Sequence, residues 1–253
     1  MSSFKLMGEN LVDQSTLTAS TENLLFPVSN IKDSRRSKVF RSTSNSSNIV
    51  IDMQETSLVD TIFIVADKRA GFGVATVTVE FNGTNSWGAP AYSIAVPFST
   101  IHGIGFVELP AQIGYRFARV VMTSTLGYCE LSKIFIGSYL ALTRSINFGW
   151  TIKDEELSQK SRNRYNQLFV DVISRQKTIN FSMSYLDKED LDLVNSVLDD
   201  RGETKPFYII LGCSTMVNDN RRFSGPVFLD DIPTITNPFF NKYSLSMAVK
   251  EMT

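Results

Sequence analysis

Strict alternation between apolar and polar residues is the feature of this sequence that most constrains its fold. In residues 74–81, 178–185 and 243–250, one set of alternate positions is apolar and the other is mainly polar. Because successive side chains of a β-strand point to opposite faces, each segment predicts a strand with one buried and one wet side. Shorter segments rich in Val, Ile, Phe and Thr predict further strands at residues 38–42, 48–53, 59–65, 105–109, 116–124, 132–139, 167–173, 207–211 and 226–229.

A single segment has the pattern of a helix. Its apolar residues recur at spacings of three and four, on one helical face: Leu191, Val194, Val197 and Leu198. Asp187 suits the N-cap position, Asp190 favours the positive end of the helix, and Gly202 is a typical C-terminal stop. We therefore predict a helix over about residues 188–201 that covers a sheet, in a protein that is otherwise mainly β.

The chain is long enough for two domains, with 253 residues. A strand-rich stretch ends near residue 140, and a polar stretch comes next, at residues 151–164. We place the domain boundary near Leu142, so that one β domain spans residues 1–142 and a second, with the helix, spans residues 143–253. The polar stretch lacks helical periodicity and is predicted to be a loop or extended arm of the second domain.

The composition excludes several classes of function. His102 is the only histidine, and Cys129 and Cys213 are the only cysteines, which is too few for a Cys/His zinc site. His102 lies in a glycine-punctuated turn with no nucleophile nearby in a recognisable setting, which argues against a histidine-activated nucleophile. We predict no catalytic residue, no metal, no cofactor and no enzymatic activity, with both cysteines as small buried side chains. A formal net charge of −1 argues against nucleic-acid binding driven by charge. We expect no membrane segment and no secretory signal, because no apolar run is long enough and the N-terminus is polar.

The order of segments in the first domain resembles a known family. Phe40-Arg41-Ser42 precedes a strand that ends at Asp52, the strand Val59-Asp60-Thr61-Ile62 comes next, and residues 116–121 and 134–137 complete the set. This resembles the galactose-binding-like (discoidin-type) jelly-roll β-sandwich of virion proteins of tailed bacteriophages, with Phe40 where tryptophan is commoner. The resemblance implies a sandwich whose end loops can carry a sugar or cation site beside Asp52, although a solvent-facing strand end is the simpler interpretation.

The second domain resembles the region C-terminal to that sandwich in phage tail-tip proteins. A long strand pair, one helix, the strand at residues 205–210 and a final strand near Lys250 match in outline the tail-tube fold of tube and distal-tail proteins. The resemblance implies a ring-forming adaptor at the tail tip or baseplate, which contacts other tail proteins and copies of itself in a hexamer or trimer. It would be made in the host cytoplasm and reside in the virion.

Charged residues supply the candidates for the ring interface. A polar arm of both signs can pair charges with a neighbouring copy, and an arginine cluster can clamp carboxylates. The candidates are Lys153, Asp154, Glu155, Glu156, Lys160, Arg162 and Arg164 in the arm, with the strand pair at residues 167–185, and Arg35, Arg36 and Arg41 in the cluster. A mobile surface loop and a buried structural ion pair are the alternatives.

An aromatic residue on a polar loop supplies the candidate for a glycan site. Trp87 lies in a stretch dense in Gly, Asn and Pro, where an indole can stack on a sugar while Asn82 and Asn85 bond its hydroxyls and Tyr92 lies beyond. Trp87 could equally cover the edge of the sandwich or contact a protein. A module for host surface glycans is therefore the alternative function, and a capsid decoration or head-to-tail protein is a further one.

Overall fold

The computed structural model describes residues 3–66, 76–99, 103–156, 158–171, 175–212 and 224–252. His102 and Cys213 lie outside the described residues. The chain forms two compact units: unit 1 contains Met1–Leu140 and Ile209–Gly225, and unit 2 contains Ala141–Tyr208 and Pro226–Thr253. The predicted boundary near residue 142 does not anticipate that Ile209–Gly225 is grouped with the first unit, because contacts distant in sequence decide that grouping.

Unit 1 consists mainly of short strands arranged around two very long ones. Its helical elements are α1 (Leu11–Gln14) and a 3₁₀ turn (Val28–Lys32). Its strands are β1 (Ser3–Met7), β2 (Thr16–Ala19), β3 (Phe40–Arg41), β4 (Ser46–Val65), β5 (Thr76–Asn82), β6 (Tyr92–Ala95), β7 (Phe98–Ser99), β8 (Ile104–Thr123), β9 (Glu130–Leu131) and β10 (Lys133–Gly137), and β15 (Phe207–Gly212) falls across the two units.

Strands β4 and β8 pair along their whole length and turn the sheet back on itself. Register shifts between Asp52 and Ser57 and between Val59 and Thr61 bend the pair, as β-bulges do. One half of the pair carries β2, β5 and β6, and the other half carries β7 and β10. The two halves enclose a core of fully buried side chains such as Phe40, Ile51, Ile64, Phe81 and Ile134. The prediction of a mainly β protein with a sandwich is confirmed.

Unit 2 is an antiparallel sheet with one long helix. Its strands are β11 (Thr151–Glu156), β12 (Gln159–Arg162), β13 (Leu168–Asp171), β14 (Arg175–Leu186), β16 (Gly225–Leu229), β17 (Ile235–Phe239) and β18 (Lys242–Glu251), and its helix is α2 (Lys188–Arg201). The sheet runs β16-β18-β14-β11, with β17 also beside β18. Ile179, Phe181 and Met183 of β14 and Leu245, Met247 and Val249 of β18 are buried, and so are Leu191, Val194 and Val197 of α2. Tyr185 breaks the predicted alternation and is 48% exposed, because the register of β14 shifts between Met183 and Leu186.

Helix α2 has the predicted bounds, but its first turn is built differently. Asp187 occupies the N-cap position without capping, because its carboxylate accepts a hydrogen bond from Lys242 Nζ instead. Asp190 is buried and accepts hydrogen bonds from the Thr143 backbone N–H, at 3.0 Å, and from the Thr143 hydroxyl. Gly202 ends the helix as predicted, with φ at 53° and its N–H donating to the Leu198 carbonyl at 2.8 Å.

The polar stretch at residues 151–164 forms two extended strands rather than a loop. β11 is the edge strand of the sheet and pairs with β14, while β12 pairs only with β13 in a separate two-stranded hairpin. The expected strand pair at residues 167–185 therefore divides between two sheets, because β13 turns back on β12 rather than continuing into the sheet of β14.

Candidate functional site

The four glycan candidates lie together on the loop between β5 and β6 and on its flanks. The Asn82 side chain closes this loop, because its amide donates to the Ser86 carbonyl at 2.6 Å and its oxygen accepts from the Gly83 N–H at 2.8 Å. The Trp87 indole N–H donates to the Asn85 side-chain oxygen at 2.7 Å. Tyr92 packs its ring on the core cluster. These polar groups build the loop, so they hold Trp87 in one orientation.

Trp87 is half-buried under an arginine of the neighbouring strand. The Arg119 guanidinium lies 4.7 Å from the centre of the indole ring, and it also pairs with the Glu80 carboxylate, with 2.7 Å between Arg119 Nε and Glu80 Oε2. Cation–π contact and ion pairing together fix the position of the guanidinium. One face of the indole is therefore occupied by this chain's own cation.

The arginines of the cluster bind carbonyl or carboxylate groups of unit 1. Arg36, a predicted ring contact, is 3% exposed and donates from Nε and from one terminal nitrogen to the Ala66 carbonyl, so that prediction is wrong. Arg41 pairs with the buried Glu130 at 2.6 Å. Arg35 is exposed and makes a bidentate pair with Asp33, whose pKa is held well below its usual range by the hydrogen bonds from Arg35.

The carboxylate at the end of the first half of β4 is also paired. Asp52 accepts two hydrogen bonds from Arg116, both at 2.9 Å, and these bonds lower the pKa of Asp52. The same carboxylate accepts a third hydrogen bond from the Gln54 backbone N–H, at 2.9 Å. This arrangement matches the simpler interpretation of a solvent-facing strand end. Within the described ranges, no group of three or more His, Cys, Asp or Glu residues is placed to hold a metal ion.

A lysine ammonium is buried beside the arginine cluster. Lys133 is 4% exposed, and its Nζ donates to the backbone carbonyls of Ile31, at 3.1 Å, and Asn30, at 3.4 Å. Burial lowers the pKa of Lys133 to about 8, against the opposing effect of Asp33 and Asp13. The ammonium binds carbonyl groups at the end of the 3₁₀ turn, so its role is to join that turn to β10.

Unit 2 exposes most of the large apolar side chains that lie on the surface of the described chain, although it is the smaller unit. Unit 1 contributes Leu24, Leu25, Leu58 and Leu126, whereas unit 2 contributes Phe148, Tyr165, Leu168, Phe169, Tyr185, Leu193, Ile232, Ile235, Phe239 and Phe240. Contiguous exposed apolar surface on a protein marks sites of contact with other molecules.

The β12–β13 hairpin carries three of these exposed side chains, Tyr165, Leu168 and Phe169. Leu168 and Phe169 are more than half exposed, and because they are consecutive strand residues they face opposite sides of the hairpin. In the part of the hairpin whose side chains are described, none is buried. A two-stranded hairpin on its own is marginally stable at best in water, and this one carries an exposed apolar residue on each of its faces.

The tip of this hairpin is organised by its own hydrogen bonds. The Asn163 side-chain oxygen accepts from the backbone N–H groups of Tyr165, at 2.9 Å, and Gln167, at 3.0 Å. Arg162 donates to the Asn166 side chain at 2.6 Å, and the Arg164 guanidinium lies over the Tyr165 ring at 4.8 Å. The tip therefore presents an aromatic ring, which is 70% exposed, beside cationic groups.

The remaining arm candidates lie on β11. Lys153, Asp154 and Glu156 are exposed, and Lys153 pairs with Glu155 at 3.0 Å, which lowers the pKa of Glu155. They decorate an edge strand and are separate from the hairpin that carries Lys160, Arg162 and Arg164.

A shallow groove lies on the solvent side of β14 and β18. Its volume is about 550 Å³, and hydroxyl groups supply much of its lining: Ser182, Ser184, Ser244, Ser246, Thr234 and Thr236. The groove presents groups that can form hydrogen bonds. Asp231 is the single charged residue among those that line it. No helix of the described segments is long and apolar enough to cross a membrane.

Comparison with known proteins gives similarity of fold only. Neither a family model nor a curated sequence matches this chain. The family 32 carbohydrate-binding module from C. perfringens NanJ, solved with galactose, is 10% identical, with a TM-score of 0.44 over 55% of this chain and all of that one. A fucose-binding module from Streptococcus pneumoniae is 13% identical, with a TM-score of 0.45 over 51% of this chain and 95% of that one.

The lectin domain of lectinolysin, complexed with Lewis B antigen, is 11% identical, with a TM-score of 0.45 over 51% of this chain and 97% of that one. These neighbours are carbohydrate-binding modules and a lectin domain, and at these identities the likeness concerns the outline of the fold.

Sequence reasoning missed the two features that distinguish the surface. Leu168 and Phe169 fall within a predicted strand, but nothing in the alternation indicates that both faces of that strand are exposed. Glu80 and Arg119, which form an ion pair beside Trp87, are 39 positions apart in sequence. Only the register of β5 with β8 identifies this pair.

Proposed function

We propose that this chain is a non-enzymatic structural protein that associates with further copies of itself through unit 2. The form that the sequence resemblance implies is a ring-forming adaptor at the tail tip or baseplate of a tailed phage. The observation that carries the proposal is the β12–β13 hairpin, which exposes Leu168 and Phe169 on its two faces and packs no described side chain into its own unit.

An exposed hairpin leaves apolar surface in contact with water, and a partner can bury that surface. Apolar surface removed from water contributes about 25 cal/mol per Å², and two large side chains that project from a thin ribbon offer most of their area to a neighbour. A ring repeats one such contact around its circumference, so a modest pairwise affinity gives a stable assembly.

The test compares two matched pairs of exposed apolar residues. Leu168→Ser with Phe169→Ser removes the apolar surface of the hairpin, and Leu24→Ser with Leu25→Ser removes a similar amount from unit 1, where both side chains are also exposed. Sedimentation velocity and negative-stain images should show rings for the wild type and for the unit 1 variant, and monomers for the hairpin variant. Rings in all three proteins, or in none, would contradict the proposal.

A second candidate function is carbohydrate binding at the β5–β6 loop. It is favoured by the fixed, half-exposed indole of Trp87, which is held by Asn85 and Arg119 in a way that leaves part of the ring open to a ligand. Calorimetry against host surface polysaccharide, with Trp87→Ala as the variant and Trp150→Ala as the matched control, tests it. Binding lost only in Trp87→Ala would favour this function over the first.

A further inference from the structure

We propose that the β12–β13 hairpin of one copy docks on the outward face of helix α2 in the next copy. This inference rests on the proposed function and names the surface that receives the hairpin. It starts from the charges of the two elements, which lie in the same unit and have opposite signs.

The hairpin is cationic where it is exposed. Lys160, Arg162 and Arg164 are all exposed, and none of them forms an ion pair with a carboxylate of the described chain. The two arginines contact uncharged groups, since Arg162 bonds the Asn166 amide and Arg164 stacks on Tyr165. The hairpin therefore carries an uncompensated positive charge beside its apolar residues.

The outward face of α2 is acidic. Its exposed carboxylates succeed one another at helical spacing along a single stripe: Glu189, Asp192, Asp199 and Asp200, with Glu203 just beyond the helix. The cations of α2 stand at its two ends, Lys188 and Arg201. Asp200 is already paired, with Arg201 at 2.8 Å and with Lys205 at 3.4 Å, so Glu189, Asp192 and Asp199 are the acids of this face that form no ion pair within the described residues. Leu193 is exposed at the edge of this acidic face, next to Asp192, and adds an apolar side chain to it.

These two surfaces are complementary in both charge and polarity. Leu193 beside the acids of α2 matches Leu168 and Tyr165 beside Lys160, Arg162 and Arg164 on the hairpin. Opposite potentials of this kind fix the register of a contact and suppress other partners. We therefore assign the hairpin of a second copy as the partner of the acidic face of α2.

Docking of the hairpin on α2 is a contact between two different patches of the unit. The hairpin precedes β14 and lies at its Arg175 end, whereas α2 comes after β14 and begins beyond its Leu186 end. Because the two docking surfaces are different patches of one unit, each copy offers one hairpin and one helix face. When each copy gives its hairpin to a different neighbour, the contact closes into a ring if the rotation between copies allows it, whereas reciprocal exchange between two copies gives a two-fold dimer.

Charge reversal tests the proposal in a way that separates it from loss of folding. Lys160→Glu, Arg162→Glu and Arg164→Glu together should weaken self-association at least about tenfold, as should Glu189→Lys, Asp192→Lys and Asp199→Lys together. The two variant proteins, when mixed, should associate again, because each then offers the charge that the other requires. Lys38→Glu with Glu55→Lys, both on unit 1, is the control and should leave association unchanged.

The outcomes distinguish this inference from the proposed function. Restored association in the mixture, measured by light scattering behind size exclusion, supports docking of the hairpin on α2. If the charge-reversed hairpin variant loses association but the charge-reversed helix variant keeps it, the inference is overturned while the proposed function stands. If the double variant Leu168→Ser with Phe169→Ser leaves association intact, the inference and the proposed function are both overturned.

Discussion

Unit 1 and the β12–β13 hairpin of unit 2 use their arginine side chains in opposite ways. In unit 1, Arg36, Arg41, Arg116 and Arg119 each bind a carbonyl or carboxylate of the same unit. In unit 2, Lys160, Arg162 and Arg164 project from a hairpin without a carboxylate partner in the described chain, beside Leu168 and Phe169.

The contrast between the units shows that the exterior of a fold is as informative as its core. A unit whose polar groups are satisfied internally is complete as it stands. Unit 2 leaves a two-faced hairpin in water, and our proposal is that another copy covers it. Substitutions in the two units should therefore differ in whether they affect folding or association.

The largest effect is expected in the core of unit 1. Phe81 is fully buried in the sandwich core, so Phe81→Ala removes an aromatic side chain and leaves a cavity. The free energy of unfolding should fall by about 3–5 kcal/mol. Urea titration followed by circular dichroism measures it, and a loss below about 1 kcal/mol, the typical effect of an average substitution, would show that the sandwich core is not packed as described.

A pH dependence should arise from the buried ammonium of Lys133. Its pKa is about 8 in the folded protein against an ordinary value of 10.5, so between these values the unfolded chain binds more protons. Stability should therefore rise with pH across this window, by on the order of 3 kcal/mol at most.

Lys133→Met removes the titrating group and keeps a side chain of similar length. The stability difference between wild type and variant, from urea titrations at pH 8 and pH 10.5, should shift in favour of the wild type as the pH rises. A difference that does not change with pH would mean that this ammonium is hydrated in solution.

A smaller effect is expected from the buried ion pair of unit 1. Glu130 is 3% exposed and pairs with Arg41, so Glu130→Gln leaves the guanidinium without its carboxylate. The loss should be about 1–3 kcal/mol. Asp33→Asn, in the exposed pair with Arg35, is the matched control and should change the melting temperature much less. Equal losses of stability in Glu130→Gln and Asp33→Asn would contradict the expected difference between buried and surface ion pairs.

The smallest effect on folding is expected in the hairpin. Phe169 is exposed, so Phe169→Ser should change the free energy of unfolding of the monomer by less than about 0.5 kcal/mol. The same urea titration, carried out on dilute protein, measures it. A loss comparable to that of Phe81→Ala would mean that Phe169 packs within its own unit.

The sequence predicts the elements of both units better than it predicts their surfaces. Alternation locates β5, β14 and β18, and the spacing of Leu191, Val194 and Val197 locates α2. These succeed because burial on one face leaves a local period in the sequence. The polar stretch that forms β11 and β12 leaves no such period, because neither strand has a buried face to impose one.

The candidate sites depend on partners that are distant in sequence. Arg36 is buried because its guanidinium meets a carbonyl 30 positions away, and Trp87 is fixed by Arg119 from another strand. A cluster of arginines in the sequence gives no sign of which one is enclosed. Register between strands decides it, and register is a property of the folded sheet.

Completion of unit 2 by another copy can be measured through amide hydrogen exchange of the whole chain at low and high protein concentration. We expect amides of β12 and β13 to exchange at nearly unprotected rates when the protein is dilute and at least about tenfold more slowly when it is concentrated. Amides of β4 and β8 should be protected equally at both concentrations. Fast exchange of the hairpin at every concentration, or concentration-dependent protection that appears in unit 1 instead, would contradict the claim that unit 2 is completed by another copy.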